Sequence, residues 1–149
     1  MARTERAELT VLCLVYQGSR LLLQNRKKED WKGYTLPGGH VEPGKSIVET
    51  VIREMKEGTG LTIREPRLCG VKQFPIEDGR YLVFLFKADQ FEGRLISSGE
   101  SEMEWVERKD LPRYRTVADF EELLRVMEKE ELTEFQYKIE DGAWNVEIH

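Results

Sequence analysis

Two glutamates near the middle of the chain have the spacing of a small metal-binding cluster. Glu54 and Glu57 are three residues apart, so they would be neighbours on the surface of a helix. A carboxylate at position 58 would share that side of the helix, and three acids there would form a compact set of oxygen ligands. Mg²⁺ prefers oxygen ligands of this kind and is often held by a few carboxylates together with substrate phosphates. Position 58, however, is Gly58.

The residues before these glutamates predict a helix that follows a glycine-rich loop. Ser46 followed by Glu49 fits a capping box, so we expect a helix from Ser46 to Thr59. Gly38 and Gly39 precede it, and glycines allow a backbone to come close to a phosphate or a metal. Taken alone, a glutamate pair is usually a solvated helix face and Pro-Gly-Gly is usually a turn. Their combination over a short span is what favours a functional site.

The apolar residues of the predicted helix recur at the spacing that forms one buried face. Gly60 lies where the helix should end, in the position that commonly takes a left-handed backbone. The residues expected to face the core are Ile47, Val48, Val51, Ile52 and Met55.

The rest of the chain supplies strands, a second helix and a hairpin. This order indicates an α/β or α+β fold, in which helices pack on the faces of a mixed β-sheet. A turn at Asp141-Gly142 predicts the hairpin. Strands are predicted at Leu9–Tyr16 and Leu21–Arg26, once or twice within Leu61–Pro75, at Tyr81–Asp89 and within Glu102–Pro112, and a helix is predicted at Val117–Glu131.

The composition is that of a soluble single domain with an acidic surface. The chain has 149 residues, 40% of them hydrophobic and 34% charged, and its net charge is −5. An acidic protein is poorly suited to nonspecific binding of nucleic acid or of an anionic membrane, because both require basic surface. A small phosphorylated ligand remains compatible, because a divalent metal can bridge its phosphates to protein carboxylates.

Other features of the sequence favour the cytoplasm. No apolar run approaches the roughly 20 residues that span a bilayer. The N-terminal stretch has charge but no apolar segment of the kind found in signal peptides. Cys13 and Cys69 each lie among apolar residues. We therefore expect buried thiols in a reducing compartment rather than a disulfide or a metal site.

The segment that contains the glycines and glutamates resembles the Nudix box. The pattern of that box is G-x5-E-x7-R-E-U-x-E-E-x-G-U, where U is a bulky aliphatic residue, and the spacing is kept here without insertion. The flanking sequence Trp31–Gly44 is similar to the stretch that usually precedes the box in this family. The matching residues are Gly39, Arg53, Glu54, Met55, Glu57, Gly60 and Leu61.

The resemblance implies a fold, a reaction and a set of roles. The fold would be an α/β/α sandwich with a mixed sheet, and residues 1–149 would be one Nudix domain extended by a C-terminal helix and hairpin. The reaction would be Mg²⁺- or Mn²⁺-dependent hydrolysis of a diphosphate joined to another moiety, commonly a nucleoside. Arg53, Glu54 and Glu57 would be catalytic, and Gly39 would bind metal together with the two glutamates. The chain resembles the MutT-like members of this family in particular, which implies an oxidised or ordinary nucleoside triphosphate as the substrate.

Two positions depart from the family pattern. The loop glutamate is replaced by Lys45, and the second acid of the helix by Gly58. In the family the loop glutamate usually braces the arginine that corresponds to Arg53, and the second acid is generally a direct metal ligand. The chain could therefore be a weak or divergent enzyme, an altered copy of an active one, or an inactive domain that binds a nucleotide or a protein.

A later acidic segment could replace the missing ligand. Family members often supply a further acid from a loop after the central strands, and this chain offers Glu100, Glu102 and Glu104. If Glu102 and Glu104 lie in a strand, they share one face and Met103 points to the other. We expect Glu100 or Glu102 on the metal side, although exposed acids in a polar loop are an equal alternative.

Three aromatic residues are candidates for stacking on a nucleobase. Trp31, Tyr34 and Phe74 lie near the ends of predicted strands or in loops. A base stacked on an aromatic ring gains roughly 1–3 kcal/mol. The alternative for each of them is packing in the core or in a surface patch.

Basic and polar residues complete the predicted substrate site. Arg26 and Lys32 could reach phosphates, Lys72 or Gln73 could contact a base or a ribose, and Gly38 would let the backbone approach the ligand. The expected partner is thus a small nucleotide rather than nucleic acid or a membrane. A homodimer is left open, because the sequence does not fix the oligomeric state.

Overall fold

The computed structural model describes residues 3–27, 32–96 and 101–149, without the side chain of residue 101. The helices are α1 (Ile47–Thr59) and α2 (Phe120–Glu128), and residues Arg108–Arg113 form a 3₁₀ helix. The strands are β1 (Arg6–Gln17), β2 (Arg20–Arg26), β3 (Gly33–Thr35), β4 (Gly38–His40), β5 (Leu61–Arg64), β6 (Arg67–Ile76), β7 (Gly79–Ala88), β8 (Gln90–Gly93), β9 (Ser101–Glu107), β10 (Glu134–Glu140) and β11 (Ala143–Ile148).

Most of the described strands belong to one mixed sheet. Its order is β11-β10-β6-β7-β1-β2-β3, with β4 also paired to β1 and β9 to β2, while β5 and β8 form a separate pair. Strand β1 is central, because it runs parallel to β7 from Arg6 to Val15 and antiparallel to β4. Its pairing with β2 is confined to the predicted hairpin turn, where Tyr16 lies opposite Leu21.

The two α-helices cover different cores of this sheet. Side chains alternate along β1, so that Val11 and Val15 pack with Val51 and Met55 of α1. Leu14 points to the other core, where the apolar residues of α2 pack. The predicted α/β/α arrangement with a mixed sheet is therefore confirmed.

Helix α1 begins and ends where the sequence predicts. The hydroxyl oxygen of Ser46 accepts a hydrogen bond from the backbone N–H of Glu49 at 3.1 Å, and Gly60 closes the helix with a φ of 87°. The prediction that Val48 is buried is wrong, because its side chain is 46% exposed. Ile47 of the same turn does pack against the core, so Val48 lies just beyond the edge of the buried face.

The C-terminal helix is shorter than predicted. Asp119 takes a left-handed backbone with a φ of 60°, so α2 starts only at Phe120 and not at Val117. The hairpin that follows turns at Asp141-Gly142 as predicted, and both residues have positive φ. Strand β10 pairs in parallel with β6, so the hairpin adds to the edge of the main sheet.

The two cysteines differ in how deeply they are buried. Cys13 and Cys69 are free thiols, but only Cys13 is fully buried, and burial raises its pKa to about 12. Across the described ranges, no helix has the length and apolar character needed to cross a membrane.

Replacing Gly58 with alanine should stabilise the protein. A Cβ added at this position would have no atom within 4 Å, and a glycine inside a helix costs about 0.5–1 kcal/mol relative to alanine. We expect the free energy of unfolding of Gly58→Ala, measured by urea denaturation, to rise by about that amount. The matched variant Gly60→Ala should be destabilised, because its Cβ would lie 2.2 Å from the carbonyl oxygen of Arg94. A lower stability of Gly58→Ala would contradict this account of α1.

Candidate metal and nucleotide site

The carboxylate of Glu54 is packed against the backbone of Gly39. A Cβ added at Gly39 would lie 2.3 Å from the carboxyl carbon of Glu54 and 2.4 and 2.7 Å from its oxygens. Only glycine therefore leaves room for the carboxylate at this point. The neighbouring Gly38 is needed for a different reason, because a Cβ there would lie 2.1 Å from the carbonyl oxygen of Val11 on β1. The fold thus brings together the first glycine and the first helix glutamate of the predicted motif.

The surroundings of Glu54 hinder its ionisation in the absence of a cation. Partial burial is the largest cause of its raised pKa, and the nearby carboxylates of Glu57 and Glu42 act in the same direction. Arg53, whose Nη2 lies 3.5 Å from Oε1 of Glu54, and His40 act against this shift. A divalent cation would relieve the repulsion among the three carboxylates.

The described residues offer this cation a partial set of ligands. Glu57 is exposed on α1 and interacts electrostatically with Glu54. Within residues 3–27, 32–96 and 101–149, no three side chains of the types that bind metals lie close enough together to hold an ion. Two carboxylates nevertheless suit an ion such as Mg²⁺, which commonly completes its coordination with water and substrate phosphates. Gly58 leaves open space where the family pattern has a third carboxylate.

Lys45 lies in a groove that also contains acids. The groove runs along the start of α1, and Lys45 lines it together with Arg53, Glu42 and Glu49. The groove therefore holds two basic side chains and two carboxylates. Arg53 itself forms an ion pair with Glu54, whose Oε1 lies 3.5 Å from its Nη2.

Glu104 is hydrogen-bonded to two tyrosines. Its two carboxylate oxygens accept hydrogen bonds from the hydroxyls of Tyr34 and Tyr114, at 3.2 and 2.7 Å. The rings of these tyrosines meet edge to face, with their centroids 4.9 Å apart. For Tyr34, the packing alternative to base stacking is thus the one seen.

Glu102 lies on the same face of β9 as Glu104, as predicted, and Met103 packs into the core beneath α1. The carboxylate of Glu102 is largely exposed and forms an ion pair with Lys27 at 2.9 Å. A role for Glu102 as a metal ligand stays a prediction. Glu100 lies outside the described residues.

A pocket of about 450 Å³ opens beside Gly39, and we call it the central pocket. Four of the predicted substrate-binding residues line it, namely Arg26, Gly38, Lys72 and Phe74, whereas Trp31 lies outside the described residues. Gly39 lines it as well, so the pocket reaches the backbone that contacts Glu54. The predicted substrate residues and the predicted metal site therefore adjoin one another.

The structure adds residues that the sequence did not single out. Tyr81 stacks on Phe74 with ring centroids 4.7 Å apart, and His40 lies beside Tyr81 in the same pocket. Tyr81 comes to lie there because β6 and β7 pair with Phe74 opposite Tyr81. This long-range register left no local signal in the sequence. Of the described residues that line the central pocket, none is an Asp or Glu, whereas Arg26 and Lys72 are basic.

Comparison with known proteins decides the family. A model of the NUDIX domain matches residues 6–127. The chain belongs to the Nudix family. The family inferred from the box residues is thus confirmed, and members of the Nudix family generally use divalent metal ions.

Individual Nudix relatives agree with this assignment. An ADP-ribose pyrophosphatase from Methanocaldococcus jannaschii is 35% identical over 104 residues, which make up 67% of this chain and 62% of the relative. The chain thus spans slightly less than two thirds of that relative's length. An oxidized purine nucleoside triphosphate hydrolase from Danio rerio is 31% identical over 119 residues, or 76% of this chain and 74% of the relative. The crystal structure of a MutT protein from Bacillus halodurans covers 95% of this chain and 97% of its own, with a TM-score of 0.76 and 28% identity.

Replacing Gly39 with alanine should damage the metal site without unfolding the protein. The added methyl group would displace the end of the flexible Glu54 side chain, whereas in Gly38→Ala it would strike the backbone of β1. We expect Gly39→Ala to lower the affinity for Mn²⁺, followed by electron paramagnetic resonance, by about tenfold or more. Its stability should change little, and Gly38→Ala should be clearly less stable. Unchanged Mn²⁺ affinity in Gly39→Ala would remove Glu54 from the metal site.

The raised pKa of Glu54 predicts how the stability of the metal-free protein depends on pH. The folded state holds the Glu54 proton at higher pH than the unfolded state does, so ionisation of Glu54 costs folding free energy as the pH rises through its raised pKa. We therefore expect Glu54→Gln, in the presence of EDTA, to gain stability relative to the parent chain as the pH increases from about 4 to 7. Urea denaturation over this range measures the difference. A difference that shrinks with increasing pH would show that the folded state favours the charged form.

Proposed function

We propose that this protein is a Nudix pyrophosphohydrolase. It cleaves the diphosphate linkage of a nucleoside triphosphate or of another nucleoside diphosphate derivative, with Mg²⁺ or Mn²⁺ as the cofactor. The observation that carries the proposal is the contact between Glu54 and Gly39 at the edge of the central pocket. A substrate in that pocket would present its diphosphate to the carboxylates of α1.

Each residue of the motif has a role in this proposal. Glu54 and Glu57 hold the metal together with the backbone of Gly39, and Glu100 or Glu102 adds a further ligand. When bound, the metal supplies charge neutralisation at the phosphate oxygens and a more acidic water molecule. Arg53 lies 3.5 Å from the Glu54 carboxylate and keeps it oriented.

The central pocket would hold the nucleoside. Phe74, stacked on Tyr81, offers an aromatic surface for the base, and Trp31 is the second stacking candidate. Arg26 would contact a phosphate, and Gly38 would let the backbone approach the ligand. The two relatives are named for ADP-ribose and for oxidized purine nucleoside triphosphates, so an 8-oxo-dGTP-like nucleotide is included among the proposed substrates.

The site is expected to work slowly. Loss of one charge-stabilising group in an active site typically costs on the order of 10²–10³ in rate, and Gly58 removes one carboxylate. The second candidate function is a catalytically inactive Nudix-like domain that binds a nucleotide or a protein. It is favoured by one observation, the empty space beside Gly58 in place of a third ligand.

The proposal extends to the organisation of the protein. Residues 1–149 act as one Nudix domain, with the C-terminal helix and hairpin as an extension of it. The protein works in the cytoplasm on small molecules and not on nucleic acid or membranes. A homodimer is the alternative to a monomer, and analytical ultracentrifugation distinguishes the two.

Hydrolysis of a nucleotide panel tests this function. The panel contains 8-oxo-dGTP, the ordinary deoxynucleoside triphosphates and ADP-ribose, each with Mg²⁺, Mn²⁺ or EDTA. We expect metal-dependent release of pyrophosphate or phosphate, and about 10²-fold faster turnover by the double variant Lys45→Glu, Gly58→Glu, because it restores both acids of the family pattern. The control Glu57→Gln should lose at least as large a factor.

The outcomes separate the two candidate functions. Turnover by the double variant alone would favour the inactive binding domain and show that positions 45 and 58 disable the site. Equal turnover by the parent chain and the double variant would mean that Glu54, Glu57 and a later acid suffice. Absence of turnover by both would overturn the proposal.

A further inference from the structure

The ammonium group of Lys72 lies inside an aromatic enclosure at one end of the central pocket. Its Nζ is 5.2 Å from the ring centroid of Phe135, 5.3 Å from that of Tyr137 and 5.9 Å from that of Phe74. Burial lowers the pKa of Lys72, and the carboxylate of Asp119 acts in the opposite direction. An ammonium group has three donors, yet among the described residues Lys72 has no hydrogen bond or ion pair. A ligand in the pocket could satisfy these donors.

The C-terminal hairpin builds most of this enclosure. Phe135 and Tyr137 come from β10, beyond the segment 6–127 that matches the family model. The hydroxyl of Tyr137 donates a hydrogen bond to Asp119 at 2.6 Å, which fixes its ring over Lys72. Trp144 of β11 packs against Tyr137 with centroids 5.4 Å apart. Two of the three rings around Lys72 thus come from the C-terminal hairpin, outside the segment that matches the family model.

Lys72 lies far from the carboxylates of α1. Across the sheet, Lys72 is opposite Val83, Val83 is beside Thr10, and Thr10 is opposite His40 on β4. Three strand spacings separate the two ends, or about 14 Å. Because Glu54 contacts β4, the diphosphate belongs at that end and Lys72 faces the other end of the substrate, where the nucleobase would lie.

We propose that Lys72 determines base specificity by selecting 6-oxopurines, such as guanine and hypoxanthine, over adenine. The inference rests on the proposed function of the site. An ammonium group donates hydrogen bonds and accepts none. The edge of a 6-oxopurine presents two adjacent acceptors, O6 and N7, whereas adenine places an amino group at position 6. The amino group of adenine would therefore face the ammonium group of Lys72, and two hydrogen-bond donors cannot pair.

Binding of two nucleotides that differ at this position tests the inference without catalysis. Inosine and adenosine 5′-monophosphates carry a carbonyl oxygen and an amino group, respectively, at position 6. In the presence of EDTA, isothermal titration calorimetry should show the inosine nucleotide binding about tenfold or more tightly, because its hydrogen bond has a charged donor. Lys72→Met keeps the length and apolar stem of the side chain, and its affinity ratio should fall to about one.

Two controls distinguish a specific role of Lys72 from a general effect of substitution. Lys87→Met removes a lysine from β7, outside the central pocket, and should leave the affinity ratio unchanged. Thermal unfolding of each variant establishes that it is folded. A change of structure alone would lower the affinity for both nucleotides equally, so the ratio of the two affinities would stay the same.

The inference and the proposed function fail in different ways. Equal affinity of the parent chain for the two nucleotides, no binding of either, or an unchanged ratio in Lys72→Met would overturn the role of Lys72. The protein could prefer the inosine nucleotide through Lys72 and still hydrolyse no nucleotide in the presence of metal. That result would overturn the proposed enzyme activity and support the role of Lys72.

Discussion

The contact between the Glu54 carboxylate and the Gly39 backbone is the constraint on which the site depends. It requires glycine in β4, and it requires that β4 lie close against β1, which Gly38 allows. It also requires the correct register of α1, which is set by the cap at Ser46 and the left-handed Gly60. The core beneath α1 then holds the helix so that one acid is partly buried and the next is exposed.

Short-range features of the sequence predicted α1, its caps and the C-terminal turn, because each depends on residues within a few positions of one another. Features that depend on strand pairing could not be predicted. The stacking of Tyr81 on Phe74 follows from the register of β6 and β7, and the tyrosine partners of Glu104 follow from packing between distant segments. The prediction that Val48 is buried failed for a third reason. Helical periodicity indicates which face of a helix points to the core, but not how far the core extends along that face.

The two departures from the Nudix pattern differ in how much they change the metal site. Lys45 lies on the surface in a groove that also contains Glu42 and Glu49, and the fold accommodates it there. Gly58 removes a carboxylate from the metal-facing side of α1, and it also weakens the last turn of α1. A chain with both changes keeps the architecture of the family, because the core and the caps of α1 involve neither residue.

The hairpin that encloses Lys72 is joined to the rest of the sheet by a short parallel pairing of β10 with β6. This pairing covers only Glu134–Gln136, and Phe135 is the one ring of the hairpin that is fully buried among the described residues. Strands β1 and β7, by contrast, pair from Arg6 to Val15. A local opening that releases the hairpin would expose the Lys72 end of the pocket while Glu54 stays packed on Gly39. The enclosure of the lysine thus rests on a much shorter strand pairing than the support of the carboxylate does.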